Sequence, residues 1–271
     1  MKSPLQDNWR IRIDEELGQQ SDDDLYFVKY FPYRELIGSL LFIQICTRGD
    51  IAYAVHYLSR FNSNPCNAVC LAAKRVLQYL YNTRDRKLIL GGTTKPLLSL
   101  FCDTDFAACP DSRKSVECFL LYFGNGCVMW QTKQQTRVAQ STGEAEYCAI
   151  TPGVNMLIWV RTLLHEMRLG YTRASAVYTD NDAARSLVAN PVHYSRMKQI
   201  GVKYHMLRHL TEMNIICAGR IPTQVNPADI GTKPLGVAEF TKKSNIYFNG
   251  LNTLEYTKLS RPLIVENDEY V

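Results

Sequence analysis

No uninterrupted apolar run in this chain approaches the roughly 20 residues a membrane-spanning helix requires. The opening stretch MKSPLQDNWRIRIDEELGQQSDDD is polar where a secretory leader would carry an apolar core. These absences point away from a membrane and make an intracellular location, cytoplasmic or nuclear, the expectation. Paired Cys-x-x-Cys knuckles and Cys/His clusters are missing too. The nine cysteines, Cys66 and Cys70 among them, are odd in number and scattered through apolar runs. That argues against a zinc module or a disulfide scaffold and leaves reduced thiols in a core. Nor is there a large excess of one charge. With 31 Lys+Arg against 26 Asp+Glu the formal net charge is +5, which permits a nucleic-acid partner without requiring one, because clustering decides such binding.

What is present is ordinary for a globular chain of one or two domains: 271 residues, 46% hydrophobic and 21% charged, enough to bury a substantial core. Residues 1–32 are polar, acidic at Asp22 to Asp24, and read as a loose arm. Residues 33–92 carry helical spacing: Leu36, Leu40, Leu41 and Ile45, then Ile51, Val55 and Leu58, then Ala72, Val76, Leu77 and Leu80. Gly91 and Gly92, followed by Thr93, Thr94 and Pro96, mark a boundary.

Beyond it the pattern changes. LLSLFCDTDF, VECFLLYFGN and GCVMWQTK read as three strands, the last two joined at Gly124 to Gly126 as a hairpin. STGEAEYCAI opens a helix capped by Ser141 or Thr142. Pro152 and Gly153 are expected to interrupt it, since proline in a helix interior costs about 3 kcal/mol. A fourth strand (SAVYTDN), two helices, a fifth strand (IICAGRIPT) and a short helix (NPADIGTK) follow. The implied fold class is α/β, a mixed five-stranded sheet flanked by helices in residues 95–236, with residues 237–271 as a C-terminal tail.

The chemistry lies at the ends of these elements. Asp103 closes the apolar strand LLSLFCD, and Asp180 closes the fourth strand in the same way. An ionised carboxylate buried at a strand end needs a partner, and parallel strands open at their C-terminal ends into one crevice. Glu146, on the first turns of its helix, and Asp229, at the start of the last, could meet them. Each acid alone has an ordinary reading as a cap, a turn former or a favourable first-turn charge. Together, four carboxylates without sulfur or imidazole suit a hard cation such as magnesium or manganese. Two such ions would clamp the attacking and leaving oxygens of a phosphoryl displacement.

The stretches FCDTDFAAC, SRKS, QSTGEAEYCAI, VYTDNDAARSLVANP, KYHMLRH and IPTQVNPADIGTKPL resemble, in order and spacing, the ribonuclease H domain ending copia-type retrotransposon Pol polyproteins. YRELIGSLLFIQICTRGDIAYAVHYLSRF and AAKRVLQYL resemble the segment that links reverse transcriptase to it, so the likeness spans about residues 33–236. It implies a ribonuclease H-like fold and an endonuclease that cuts the RNA strand of an RNA–DNA hybrid with two magnesium ions, manganese being an alternative. Its metal-binding catalytic acids would be Asp103, Glu146, Asp180 and Asp229, with Glu146 preferred to Glu144 because it stands beside the tyrosine, and Asp105 peripheral.

The basic residues Arg113, Lys114, Lys133, Arg137, Arg196 and Lys198 are the expected phosphate contacts, each with an alternative as a solvated surface charge. His205 is read as structural rather than as a proton shuttle, and Trp130 and Trp159 are assigned to the core. The departures from the family are specific. Its tyrosine-x-aspartate-aspartate polymerase box is absent, so no DNA synthesis is expected; beside the RNA–DNA hybrid, a reverse transcriptase acting in trans is one candidate partner. The family's TRPD is TRGD at Thr47 to Asp50, which should loosen a turn, and its TKHID is MKQIG at Met197 to Gly201. The alternative function is a catalytically silent relic that binds nucleic acid or another partner.

Overall fold

The computed structural model describes residues 2–5, 21–91, 97–169, 171–189 and 201–251. The sheet is the middle layer. Strands β1 (Leu98–Asp105), β2 (Val116–Phe123) and β3 (Gly126–Gln134) form an antiparallel meander, and β4 (Ser175–Thr179) and β5 (Ile216–Arg220) join on the other side of β1, parallel to it. The order is β3-β2-β1-β4-β5. β1, at the centre, is apolar on both faces, as a strand covered on both sides must be. Leu98, Leu100 and Cys102 point to one layer and Phe101 to the other.

Among the described residues, four α-helices precede the sheet: α1 (Asp22–Tyr30), α2 (Tyr33–Cys46), α3 (Ala52–Ser59) and α4 (Asn67–Asn82). Helix α1 lies in the arm expected to be loose, and Ser21 caps it, accepting from Asp24 N while the Asp24 carboxylate accepts from Ser21 N. In the helical layer the buried stripe of α2 is Tyr33, Ile37 and Leu40, so Ile45, expected inward, is exposed, as is Leu77 on α4. A polar knot ties this layer together: Arg48 Nε and Nη2 each donate to Asp50 at 2.9 Å, and Tyr79 Oη donates to Asp50 Oδ2 at 2.6 Å.

The helix after the hairpin differs from the sequence expectation. A single 25-residue helix, α5 (Thr142–Glu166), runs straight through Pro152. Tyr147, Ile150, Val154 and Leu157 are all buried on the sheet, and at about 1.5–3 kcal/mol per fully buried large apolar side chain their burial outweighs the cost of one proline. Gly153 permits the close approach, since a Cβ there would come within 2.9 Å of Leu100 Cδ1 and 3.1 Å of Phe119 Cβ. Gly153→Val is therefore expected to lower stability by about 1–3 kcal/mol through overpacking. Urea denaturation checks this, and an unchanged midpoint would contradict the tight seating. Trp159, assigned to the core from sequence, lies 56% exposed on the outer face of the same helix.

Helices α6 (Asp182–Ala189) and α7 (Gly201–Glu212) share the α5 side of the sheet. After β5 comes a 3₁₀ turn, Pro227–Gly231, and then a helix in the stretch expected to be a tail, α8 (Val237–Asn249). Phe240, Ile246, Tyr247 and Phe248 of α8 share one core with α2, α3, α4 and the opposite sheet face. The architecture expected from the sequence, a mixed five-stranded sheet flanked by helices and preceded by a helical segment, is thus the one observed. The TRGD turn, however, is not loosened. Gly49 is buried, its N–H donates to Tyr247 Oη at 2.9 Å, and a Cβ would meet the Trp130 and Tyr247 rings at 2.8 Å. A proline could not supply that donor.

Candidate metal centre

The centre forms where β1 and β4 end together. Their parallel register pairs Ser99 with Ala176, Leu100 with Val177 and Phe101 with Tyr178, and continuing it two residues sets Asp103 beside Asp180. The third acid descends from α5. Ser141 Oγ accepts from Glu144 N at 3.2 Å and the Glu144 carboxylate accepts from Gln140 N at 2.8 Å, so Glu144 is engaged in capping. Glu146, further along the helix, turns inward and is buried. Gln135 Nε2 and Thr104 Oγ1 both donate to Ala145 O, at 2.8 and 3.3 Å, and pin this turn of α5 to the ends of β3 and β1.

Among the described residues, Asp103, Glu146 and Asp180 form one group whose ligand oxygens all lie within 4.8 Å of one another. Asp229 stands beside Asp103 but outside that group. It comes from the 3₁₀ turn, which is fastened to the sheet by Asn226 Nδ2 donating to Cys102 O at 3.0 Å and by Thr132 Oγ1 donating to Gly231 O at 2.9 Å. Asp229 Oδ1 pairs with Lys233 Nζ at 3.0 Å and Oδ2 with Lys243 Nζ at 2.6 Å. Thr232 Oγ1 donates to Asp103 Oδ2, and Lys233 Nζ lies 3.9 Å from the same oxygen. Sequence reasoning missed Thr232, Lys233 and Lys243. The only signal for the first two is local, a hydroxyl and an ammonium three and four residues after Asp229.

The electrostatics follow from this crowding. Burial, then the neighbouring Asp229 charge, pushes the Asp103 carboxyl well above the ordinary carboxylate range, and Lys233 and Thr232 offset part of the shift. Burial, then Asp103 and Asp180, pushes Glu146 up in the same way. The same acids hold the Lys233 ammonium above its usual range despite its own desolvation. Glu146 Oε2 is buried and has no hydrogen-bond partner. An orphaned buried oxygen in an all-oxygen cluster of like charges is what a hard divalent cation would satisfy, so the residues fit such an ion.

The other expected site residues distribute as follows. Arg113 and Lys114 lie on the loop joining β1 to β2, which is closed by Arg113 N donating to Cys109 O at 2.8 Å and Cys109 N donating to Lys114 O at 3.1 Å. Lys133 is near the end of β3 and Arg137 follows it. All four leave the sheet at the end that carries Asp103, where Arg113, Lys133 and Arg137 are exposed and Lys114 is half-buried. Arg196 and Lys198 lie outside the described residues, as does most of the MKQIG stretch. His205 is exposed on α7, and Trp130 is half-buried, its ring edge-on to Tyr247 and its Nε1 donating to Gln44 O at 2.9 Å. Among the described residues no helix is long and apolar enough to cross a membrane.

No family model matches the chain. It is 39% identical over 202 residues, 74% of its length, to the retrovirus-related Pol polyprotein from transposon TNT 1-94 of Nicotiana tabacum. It is 35% identical over 208 residues, 77% of its length, to that from transposon RE1 of Arabidopsis thaliana. The chain spans only 15% and 14% of those two relatives. Among solved structures, LC11-RNase H1 in complex with RNA/DNA hybrid aligns with 50% of this chain and 93% of that one, at 12% identity and a TM-score of 0.37.

Proposed function

Because the chain belongs to the retrovirus-related Pol polyproteins of copia-type transposons over about three quarters of its length, we propose that it is a ribonuclease H-type endonuclease that cuts the RNA strand of RNA–DNA hybrids. The observation that carries the reading is the meeting of three carboxylates from three elements, Asp103, Glu146 and Asp180, with the Glu146 Oε2 buried and unpaired. In this reading those three acids hold divalent cations, magnesium or manganese, and Asp229 completes the set for a second ion. When bound, the cations supply charge stabilisation for the attacking and leaving oxygens of an in-line displacement and lower the pKa of a bound water. The reaction breaks the P–O3′ bond by water and leaves 3′-hydroxyl and 5′-phosphate ends.

The chain's own residues supply the rest. Arg113, Lys114, Lys133 and Arg137, and Arg196 and Lys198 beyond them in sequence, are proposed phosphate contacts that set the register of the hybrid without reading its sequence. The 2′-hydroxyl is the feature that marks the strand to be cut. A reverse transcriptase belongs to this proposal only as the source of the hybrid.

The test is an end-labelled RNA–DNA hybrid incubated with purified protein in magnesium, manganese or EDTA, alongside Asp180→Asn. Asp180 is only half-buried, so its substitution disturbs folding least. Cutting of the RNA strand alone is expected, abolished by EDTA and reduced at least about 100-fold in the variant, as several kcal/mol of metal-supplied stabilisation would dictate. Cutting that survives EDTA or the substitution would sink the metal mechanism. A folded wild-type protein that binds the hybrid without cutting would identify a silent nucleic-acid-binding relic.

A further inference from the structure

Lys243 is completely buried, and an ammonium taken out of water survives only if it is paired and hydrogen-bonded. It is. Its Nζ donates to Asp229 Oδ2 at 2.6 Å, to Asn226 O at 2.9 Å and to Thr223 O at 3.2 Å, using all three protons. Glu239 Oε1 lies further off at 3.6 Å. The three acceptors all belong to the segment that leads into the 3₁₀ turn of Asp229, so one side chain holds that segment at two backbone points and at the carboxylate itself.

The lysine reaches in from a fixed base. Helix α8 is clamped to the helical layer by Tyr247 Oη, which accepts from Gly49 N and donates to Thr47 O at 3.1 Å, by Arg86 Nη1 donating to Ser244 Oγ at 2.6 Å, and by Ile89 N donating to Phe248 O at 2.8 Å. With Oδ2 of Asp229 held from behind, Oδ1 faces Lys233, whose Nζ lies 3.0 Å from it and 3.9 Å from Asp103 Oδ2 and so links the two carboxylates.

We propose that Lys243 is a positioning residue of the acid centre: it aims one oxygen of Asp229 at the Asp103, Glu146 and Asp180 group and balances the fourth negative charge there. Helix α8, beyond the last recognisable motif, is then part of the centre. The inference rests on reading the acids as a divalent-cation site, and cation binding can be measured apart from cleavage. Because Lys243 is buried it cannot touch a substrate, and it acts only through Asp229.

The experiment is calorimetric titration of Mn²⁺ into the full chain and into Lys243→Met, Asp229→Asn and the double variant, with hybrid cleavage followed in parallel. Loss of a partner that orients a ligand typically weakens metal binding about 10- to 100-fold, and that loss is expected in Lys243→Met, with kcat lowered and KM for the hybrid unchanged. On the Asp229→Asn background the same substitution should change Mn²⁺ affinity less than about twofold. Equal losses in both backgrounds, or no loss in the first, would overturn the proposal. Should Lys243→Met alone not fold, the double variant decides. Folding with the affinity of Asp229→Asn supports the pairing, and failure to fold assigns Lys243 to the fold instead. A wild-type chain that binds Mn²⁺ without cutting hybrid overturns the nuclease reading alone, and one that binds no Mn²⁺ overturns both.

Discussion

A fragment of residues 95–236 is expected to be insoluble or molten, whereas residues 21–251 should unfold in one sharp transition. The fragment is the span that the ribonuclease H-like motifs delimit, but among the described residues one face of its sheet is covered largely by elements outside it. Phe101, Leu120, Tyr122, Cys127 and Tyr178 on that face, with Ile221 and Ile230, belong to a core completed by Val55, Leu58 and Val76 of the helical layer and by Phe240, Tyr247 and Phe248 of α8. Removing those helices returns the face to water at about 1.5–3 kcal/mol for each large side chain. Four such losses already compare with the about 5–15 kcal/mol of an ordinary domain. Near-ultraviolet circular dichroism and dye binding would report the molten state. A fragment with a sharp urea transition and native near-ultraviolet signal would show that the helical layer is an addition to a self-sufficient nuclease domain. We propose instead that the layer, the sheet and α8 form one cooperative unit.

In the absence of divalent ions, the wild-type chain should lose stability as pH rises, and Glu146→Gln should relieve that loss. The sign follows from proton binding. Glu146 and Asp103 have folded pKa values raised by burial and by neighbouring carboxylates. Between the ordinary carboxylate pKa of about 4 and their raised folded values, the native state holds protons that the unfolded state has released. Stability then falls with increasing pH. Below that window both states are protonated and the penalty disappears. Each tenfold difference in proton affinity between the two states is worth about 1.4 kcal/mol, and 1 kcal/mol moves the thermal midpoint about 2–4 °C in a chain of this size. A fall of several degrees is therefore expected between pH 5 and pH 8 in EDTA. Glu146→Gln, which keeps the shape and removes one charge, should raise the midpoint in EDTA most at pH 8. Magnesium or manganese should stabilise the wild type most at the same pH, because the cation replaces the protons, and should do little for the variant. A midpoint in EDTA that rises or stays flat over this range would contradict the crowding of these carboxylates.

Asp103 and Asp180 are legible as candidates in the sequence because each closes a strand whose pattern is strong. Asp103 closes a run of alternating and continuous apolar residues, and Asp180 closes another, so the pattern alone puts them at strand ends. The convergence itself needs the parallel pairing of β1 with β4. The unbroken helix at Pro152 and Gly153 shows the limit of local rules. Taken alone, a Pro-Gly pair argues for interruption, but a glycine seated against Leu100 and Phe119 is a packing device when a sheet lies beneath it. The TRGD departure reads differently for the same reason, since Tyr247, 198 residues further along, supplies the acceptor that the Gly49 N–H uses.

Strand order along the chain, the α/β class, the acids that could meet and the family resemblance all follow from the amino-acid order. They depend on periodicity, caps and short spacings, which act within a few residues. The sharing of Asp229 between Lys233 and Lys243, the reach of α8 to the acids, and the cover that the helical segment gives one sheet face come from the packed chain alone. Those are contacts between residues distant in sequence, and a buried lysine is acceptable or ruinous according to what the fold brings to its ammonium.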